Sequence, residues 1–482
     1  MSEAPQLSVL DVQCFEWPFA LRLPFRFGVI TVTEGRQAVV RVRVALDGGR
    51  EAWGTAAESL AAKWFDKDPR WSDAQNLDQL RRALEIAAAY YRAAGAKTAF
   101  AHFADSYAPQ LESCGKEGLN PLVASFGPAL LDRAVLDALC RSLGVPFYDA
   151  IQRNLPGIGA HPALPDLTQG ELERMLPSLK PAQSIALRHT VGLVDPIRAA
   201  DAAPADRVND SLPQTLEEVV RFYRPRYFKL KVAGNLEADL DRLTAIAAVL
   251  DAEAGDYRAT LDGNEQYGDA EAVLALWRAM TARPALAKLC AAILFIEQPI
   301  ARGAALAREL GALRDARPVI IDESDGTLDA FPRAKALGYK GVSSKACKGL
   351  YKSLVNLARC RQWNAALGRS DYFMSAEDLT TLAGPSVQQD LALANLLGIA
   401  HIERNGHHYI DGFAGRPAAE AEAFLEAHPG LYHRQGRRVR LKIAEGRIDI
   451  RSLAGPGFAL NAEPDTAAME PMPPSRWKSP AP

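Results

Sequence analysis

Six charged residues recur at equivalent places along one stretch of the chain: Lys229 and Lys231 in FKLKV, Asp262 in LDGN, Glu297 in IEQP, Asp322 in IIDES and Lys345 in SSKAC. Each ends, or nearly ends, a short apolar run. Any one placement has a plain explanation, since strand ends carry polar residues toward solvent; the six together do not. Three acids brought to one point repel unless a cation sits among them. An all-oxygen set with open positions suits a hard ion, Mg²⁺, with Mn²⁺ as a substitute. Lysines beside such an ion suit proton transfer at a carbon next to a carboxylate. Removing that hydrogen creates an enediolate whose charge the metal stabilises. The base must be neutral, so at least one lysine needs a lowered pKa, which burial beside the metal and a second ammonium favours. The other lysine, protonated, delivers a proton to the opposite face.

These residues need a scaffold that brings them together. From about residue 183, eight short apolar runs alternate with amphipathic segments: SIALRHT, FKLKV, RATLDGN, ILFIEQP, PVIIDES, GVSSKAC, YFMSAED and IAHIERN. Eight such units over residues 183–410 predict a (β/α)₈ TIM-like barrel, an α/β fold whose active site is built at the C-terminal ends of the strands. Asp262, Glu297 and Asp322 then come from neighbouring third, fourth and fifth strands. Lys229 and Lys231, two apart, share one face of the second strand. Lys345 lies on the sixth, across the ring. The first connection, 194–215, is rich in Pro, Ala and Asp and predicts an irregular loop.

Ahead of the barrel, residues 1–155 read as an α+β unit: a three-stranded antiparallel meander turning at Gly48 and Gly49, then helical stretches closed by Gly144 and Pro146. Beyond it, RRVRLKIAEGRIDI reads as a two-strand hairpin, so that residues 411–461 pack back on the N-terminal unit. Residues 462–482, rich in Pro and Ala, are expected to be a disordered tail.

Composition narrows the function classes. The 56 basic and 58 acidic side chains nearly cancel, and no single-sign run marks a nucleic-acid or anionic-lipid surface. Six cysteines lack CxxC spacing, as expected of buried thiols in a reducing compartment. With no signal-like N-terminus and no long apolar stretch, the expectation is a cytoplasmic protein with no membrane or nucleic-acid partner.

Taken in order, KLK, LDGN, IEQP, IDES and KACK resemble the enolase superfamily, in its mandelate racemase and muconate lactonizing enzyme branch, over roughly residues 10–460. The resemblance implies that the N-terminal α+β unit is a capping domain, completed by the C-terminal segment. It implies a Mg²⁺-dependent racemase, epimerase, cycloisomerase or syn-dehydratase of the lysine-lysine type, acting on a small-molecule carboxylate, and a homo-oligomer. Lys231, the second lysine of the KxK motif, matches one acid/base and Lys345 the opposite one. Lys229 matches the partner that lowers a pKa and contacts substrate, and Asp262, Glu297 and Asp322 match the metal ligands. Lys348 is read as structural, Glu323 and Glu377 as supporting or substrate-facing, and Asn264 as orienting a ligand. Two departures stand out. A histidine that mandelate racemase relatives place on strand seven is replaced here by YFMSAEDL, and the usual Gly-Gly after the sixth-strand lysine is Gly349-Leu350. His401, His407 and His408 are read as packed. Two loops, 23–31 (LPFRFGVIT) and 54–65 (GTAAESLAAKWF), are expected to reach the barrel mouth, with Phe25, Arg26 and Trp64 as substrate contacts. Other readings are a Schiff-base lyase using a barrel lysine, and a non-catalytic carboxylate-binding member.

Overall fold

The computed structural model describes residues 4–478. Strands β1 (Leu7–Phe27), β2 (Ile30–Leu46) and β3 (Glu51–Ser59) pair antiparallel in that order. Strict alternation sets their faces: Val40, Val42 and Val44 are fully buried while Arg41 and Arg43 point outward. Gly48 and Gly49, both at positive φ, make the turn from β2 to β3. Helices Asp73–Ala93, Ala99–Lys116 and Pro121–Leu143 cover the buried face. The last is capped by the Asn120 side chain, which accepts from the Val123 amide, and it ends at Gly144 in the left-handed conformation. It lies so close to β3 that a Cβ on Gly54 would stand 2.1 Å from the Ala134 carbonyl oxygen and 2.3 Å from the Ala138 nitrogen.

Neither expected loop is a simple loop: of residues 54–65, 54–59 belong to β3 and Ala62–Phe65 is a short helix. Residues 23–31 continue β1 into β2 as a hairpin, with Phe25 opposite Val32, Arg26 opposite Thr31 and Phe27 opposite Ile30. Period two then buries Phe25 and Phe27 and turns Arg26 outward, where its Nε donates to the Gly28 carbonyl at 3.4 Å.

The eight apolar runs form eight parallel strands: β4 (Ser184–Val191), β5 (Tyr227–Lys231), β6 (Arg258–Asp262), β7 (Ile293–Glu297), β8 (Val319–Ile321), β9 (Gly341–Ser344), β10 (Phe373–Ala376) and β11 (His401–Arg404). Pairing of β11 with β4 closes the ring. The register sets Lys231 opposite Asp262 and Asp262 opposite Glu297, so three of the singled-out residues stand at one level of the barrel mouth. The connection after β4 carries only single 3₁₀ turns before helix Leu216–Tyr223.

The C-terminal segment departs from expectation in two ways. The two halves of RRVRLKIAEGRIDI do not pair as a hairpin: β13 (Arg438–Leu441) pairs with the preceding β12 (Tyr432–Gln435), and β14 (Arg447–Asp449) pairs antiparallel with the start of β4. The reason is an open edge: β5 joins β4 only from Arg188 onward, leaving residues 184–186 for another strand. Beyond β14 the chain does reach the N-terminal helices, where the Phe458 ring stacks on Phe147 at 3.9 Å. The second departure is the region expected to be a disordered tail, which is docked through residue 478. β15 (Glu470–Pro471) adds to the edge of β1, the Met472 amide donates to the Cys14 carbonyl at 2.9 Å, and Trp477 Nε1 donates to the Glu117 carbonyl at 2.9 Å. Proline denies this stretch regular structure but not an extended path pinned by Met469, Met472 and Trp477. Residues 479–482 lie outside the described range. Among the described residues no helix is long and apolar enough to cross a membrane.

Candidate active site

Lys229 sits at the centre of the barrel mouth, almost wholly buried. Its Nζ lies 2.9 Å from Asp262 Oδ2, 2.8 Å from Glu297 Oε2, 2.8 Å from Glu377 Oε2 and 2.9 Å from Glu403 Oε2. The bonds to Glu377 and Glu403 are aligned hydrogen bonds. Glu297 is reached off the hydrogen-bonding direction, so both of its buried oxygens lack a hydrogen-bond partner. Lys231 Nζ donates to Asp262 Oδ2 and to Asn264 Oδ1, each at 2.6 Å. Across the ring Lys345 pairs with Asp322, whose other oxygen takes Ser343 Oγ and, at 3.2 Å, Lys348 Nζ. Asp262 and Glu297 thus converge as expected, around an ammonium, while Asp322 turns to its own lysines. Among the described residues no group of three or more His, Cys, Asp or Glu side chains stands arranged to hold a metal ion.

The electrostatics follow from burial and pairing. Burial would raise Asp262, but Lys229 and Lys231 outweigh it and hold the carboxyl below its ordinary value. Burial is likewise overcome at Asp322, by Lys345 and Lys348, and at Glu403, by Lys229 and Lys231; both are held low. Glu297 goes the other way: burial, then Asp262 and Glu377, push it well above the usual carboxylate range. Burial disfavours the ammonium of Lys229, yet four carboxylates hold its pKa well above that of a free lysine. Lys345 is raised too, because Asp322 prevails over burial. At both Lys229 and Lys345 the surrounding carboxylates thus prevail over burial.

Several contributors went unnoticed in the sequence. Glu403, at the end of β11, is fixed by Thr190 Oγ1 at 2.6 Å and Asn405 Nδ2 at 3.1 Å. Arg188, inside β4, pairs with Glu377 from below. Gln298 clamps two strand ends: its Oε1 accepts from the Asp322 amide at 2.7 Å and the Ser324 amide at 3.0 Å. Asn264, Glu265 and Gln298 all take positive φ immediately beyond Asp262 and Glu297, a strain that clusters at functional sites. Glu323 accepts from Asn264 Nδ2 at 3.2 Å and pairs at 3.1 Å with Lys67, which reaches in from the N-terminal unit. By contrast His189, His407 and His408 pack together behind β4 and β11, and His401 stacks on Tyr227 at 4.3 Å. Burial lowers His189 and His401 to about 3.

Above this floor lies a cavity of about 730 Å³ into which Lys229, Lys231, Lys345, Asn264 and Glu403 open. Phe25 and Trp64 line it from the N-terminal unit; Arg26 does not.

No family model and no curated protein sequence matches the chain. Solved structures do resemble its fold. An enolase from Bradyrhizobium complexed with magnesium and mandelic acid is 16% identical, with a TM-score of 0.59 over 97% of this chain and 99% of that one. A dipeptide epimerase from Cytophaga hutchinsonii complexed with Mg and the dipeptide D-Ala-L-Val is 13% identical, with a TM-score of 0.57 over 98% and 99%. The muconate lactonizing enzyme from Pseudomonas fluorescens, complexed with muconolactone, is 16% identical, with a TM-score of 0.57 over 96% and 98%.

Proposed function

We propose that this chain is an enolase-superfamily racemase, epimerase, cycloisomerase or syn-dehydratase that removes the hydrogen beside a substrate carboxylate, with Lys231 and Lys345 as acid/base groups on opposite faces of the carbon. One observation carries the reading: these two amines come from opposite sides of the ring and both open onto the floor of a single cavity. Lys231, steered by Asp262 and Asn264, takes the proton from one face. Lys345, kept as an ammonium by Asp322, gives a proton to the other. The strand-end acids and lysines are themselves shielded from bulk water, since every one of them is buried.

The donor chemistry fits a hard divalent cation. All the donors are oxygens, and Glu297 keeps two buried oxygens without hydrogen-bond partners. Asp262, Glu297 and Asp322 would hold Mg²⁺, while Lys229 keeps Glu377 and Glu403 as partners. Bound there, the cation supplies electrostatic stabilisation of the charge that develops on the substrate carboxylate. Racemisation, cycloisomerisation and elimination share this first proton transfer.

Incubating the protein with Mg²⁺ and a panel of carboxylates in D₂O, with ¹H NMR at the α-carbon, tests the reading. Exchange is expected, reduced by about 10²–10⁴-fold in Lys231→Ala and Lys345→Ala. Absence of exchange across the panel, with the protein folded, overturns it.

A further inference from the structure

The cavity above the lysines is larger and more apolar than a small hydroxy acid requires. At about 730 Å³ it matches pockets that enclose ligands of drug size. Its upper wall is built by the β1–β2 hairpin, the segment after β3 and helix Asp73–Ala93: Phe19, Leu21, Phe27, Val32, Leu60 and Leu77. The aromatic lining continues to the reacting groups, with Lys231 6.0 Å from the Phe25 ring and Lys345 4.7 Å from the Trp64 ring. Apart from Glu34, the charged groups of the upper wall are already engaged. Lys63 stands 3.7 Å from Asp73, Arg36 pairs with Glu16 and Glu470, and the Asp378 carboxylate accepts from Thr381 and Asn405. Glu34 stands exposed at the mouth. Cations able to face a carboxylate are therefore confined to the floor, while Glu34, exposed at the rim, would repel a second carboxylate.

Resting on the function proposed above, we propose that the substrate is a monocarboxylate whose distal part is an extended, uncharged apolar chain, laid between Phe25 and Trp64 and up the face of the hairpin. Each methylene taken from water into this wall favours binding about fourfold until the cavity is filled.

The test is a homologous series of N-acyl-L-alanines, acetyl to decanoyl, with Mg²⁺ present. Binding is read by calorimetry and α-hydrogen exchange in D₂O by ¹H NMR. Affinity and exchange are both expected to climb with acyl length by at least tenfold from acetyl to octanoyl, and Val32→Asp is expected to flatten that climb. Exchange that is indifferent to length overturns the apolar-tail assignment and leaves the proton-transfer reading standing. Affinity that climbs without exchange at any length overturns the proton-transfer reading and keeps the pocket. No binding and no exchange along the series overturns the inference.

Discussion

Lys229 is surrounded by four carboxylates, none more than 2.9 Å from its nitrogen, and so acts as the counter-ion that lets buried acids coexist. Removing one partner of a buried ionic group costs about 3–5 kcal/mol, because the remaining charges are stranded. Lys229→Met is therefore expected to melt well below the parent protein. Mg²⁺, offered to the same acids, should raise the melting temperature of the variant more than that of the parent. Equal shifts in a thermal titration, or a variant as stable as the parent, would remove Lys229 from this role. Six of the charged residues were legible in the sequence, because each closes an apolar run. Glu403 satisfies the same rule in IAHIERN, where the neighbouring histidine is the more conspicuous residue. Arg188 was hidden for another reason. An arginine within SIALRHT reads as an edge residue, and only closure of the ring reveals that it faces Glu377 inside.

The barrel strands were readable because a parallel strand covered on both faces is a short continuous apolar run, whereas the β1–β2 hairpin was masked by Pro24 and Gly28. Its alternation of Phe25, Arg26 and Phe27 was the signal that strand pairing continued. Close approach of elements gives a sharp test at Gly54. Alanine there would push a methyl into the backbone of Pro121–Leu143, with an overpacking cost of about 1–3 kcal/mol or more. Gly54→Ala should lower the urea midpoint, and an unchanged midpoint would show that β3 and the helix are free to part. His428, which follows helix Ala418–Ala427, gives a pH test. Burial lowers it to about 4, below an ordinary 6.5. A depressed folded pKa means stability that is complete above 6.5 and is lost as pH falls toward 4, at about 1.4 kcal/mol per pH unit. His428→Gln should remove that component, so urea midpoints of parent and variant should converge between pH 6.5 and 4. Parallel curves would refute the assignment.

At the scale of the whole molecule, the C-terminal region couples parts that composition suggested were separate. Its proline and alanine content predicts disorder, since such a chain lacks enough apolar surface to offset ordering. That expectation counted composition and overlooked anchors spaced along an extended path. Met469 is buried, and the Trp477 ring meets Trp71 edge-on at 5.1 Å. These fasten β15 against Phe15 and Glu16 of β1, the strand whose far end carries Phe25 and Phe27 over the lysines. A chain ending at Asn461 should thus lose about 2 kcal/mol from the two anchors after ordering entropy is discounted. It should also exchange amide hydrogens faster around residues 13–17, where the edge of β1 is uncovered. Because β1 continues from that edge, past an irregularity between Ala20 and Phe25, to the hairpin, the looser strand should weaken retention of apolar ligands more than the stability loss alone would require. Hydrogen-exchange mass spectrometry with a urea titration decides the matter: identical exchange and identical midpoints in the two chains would mean that the segment merely lies on the sheet and fastens nothing.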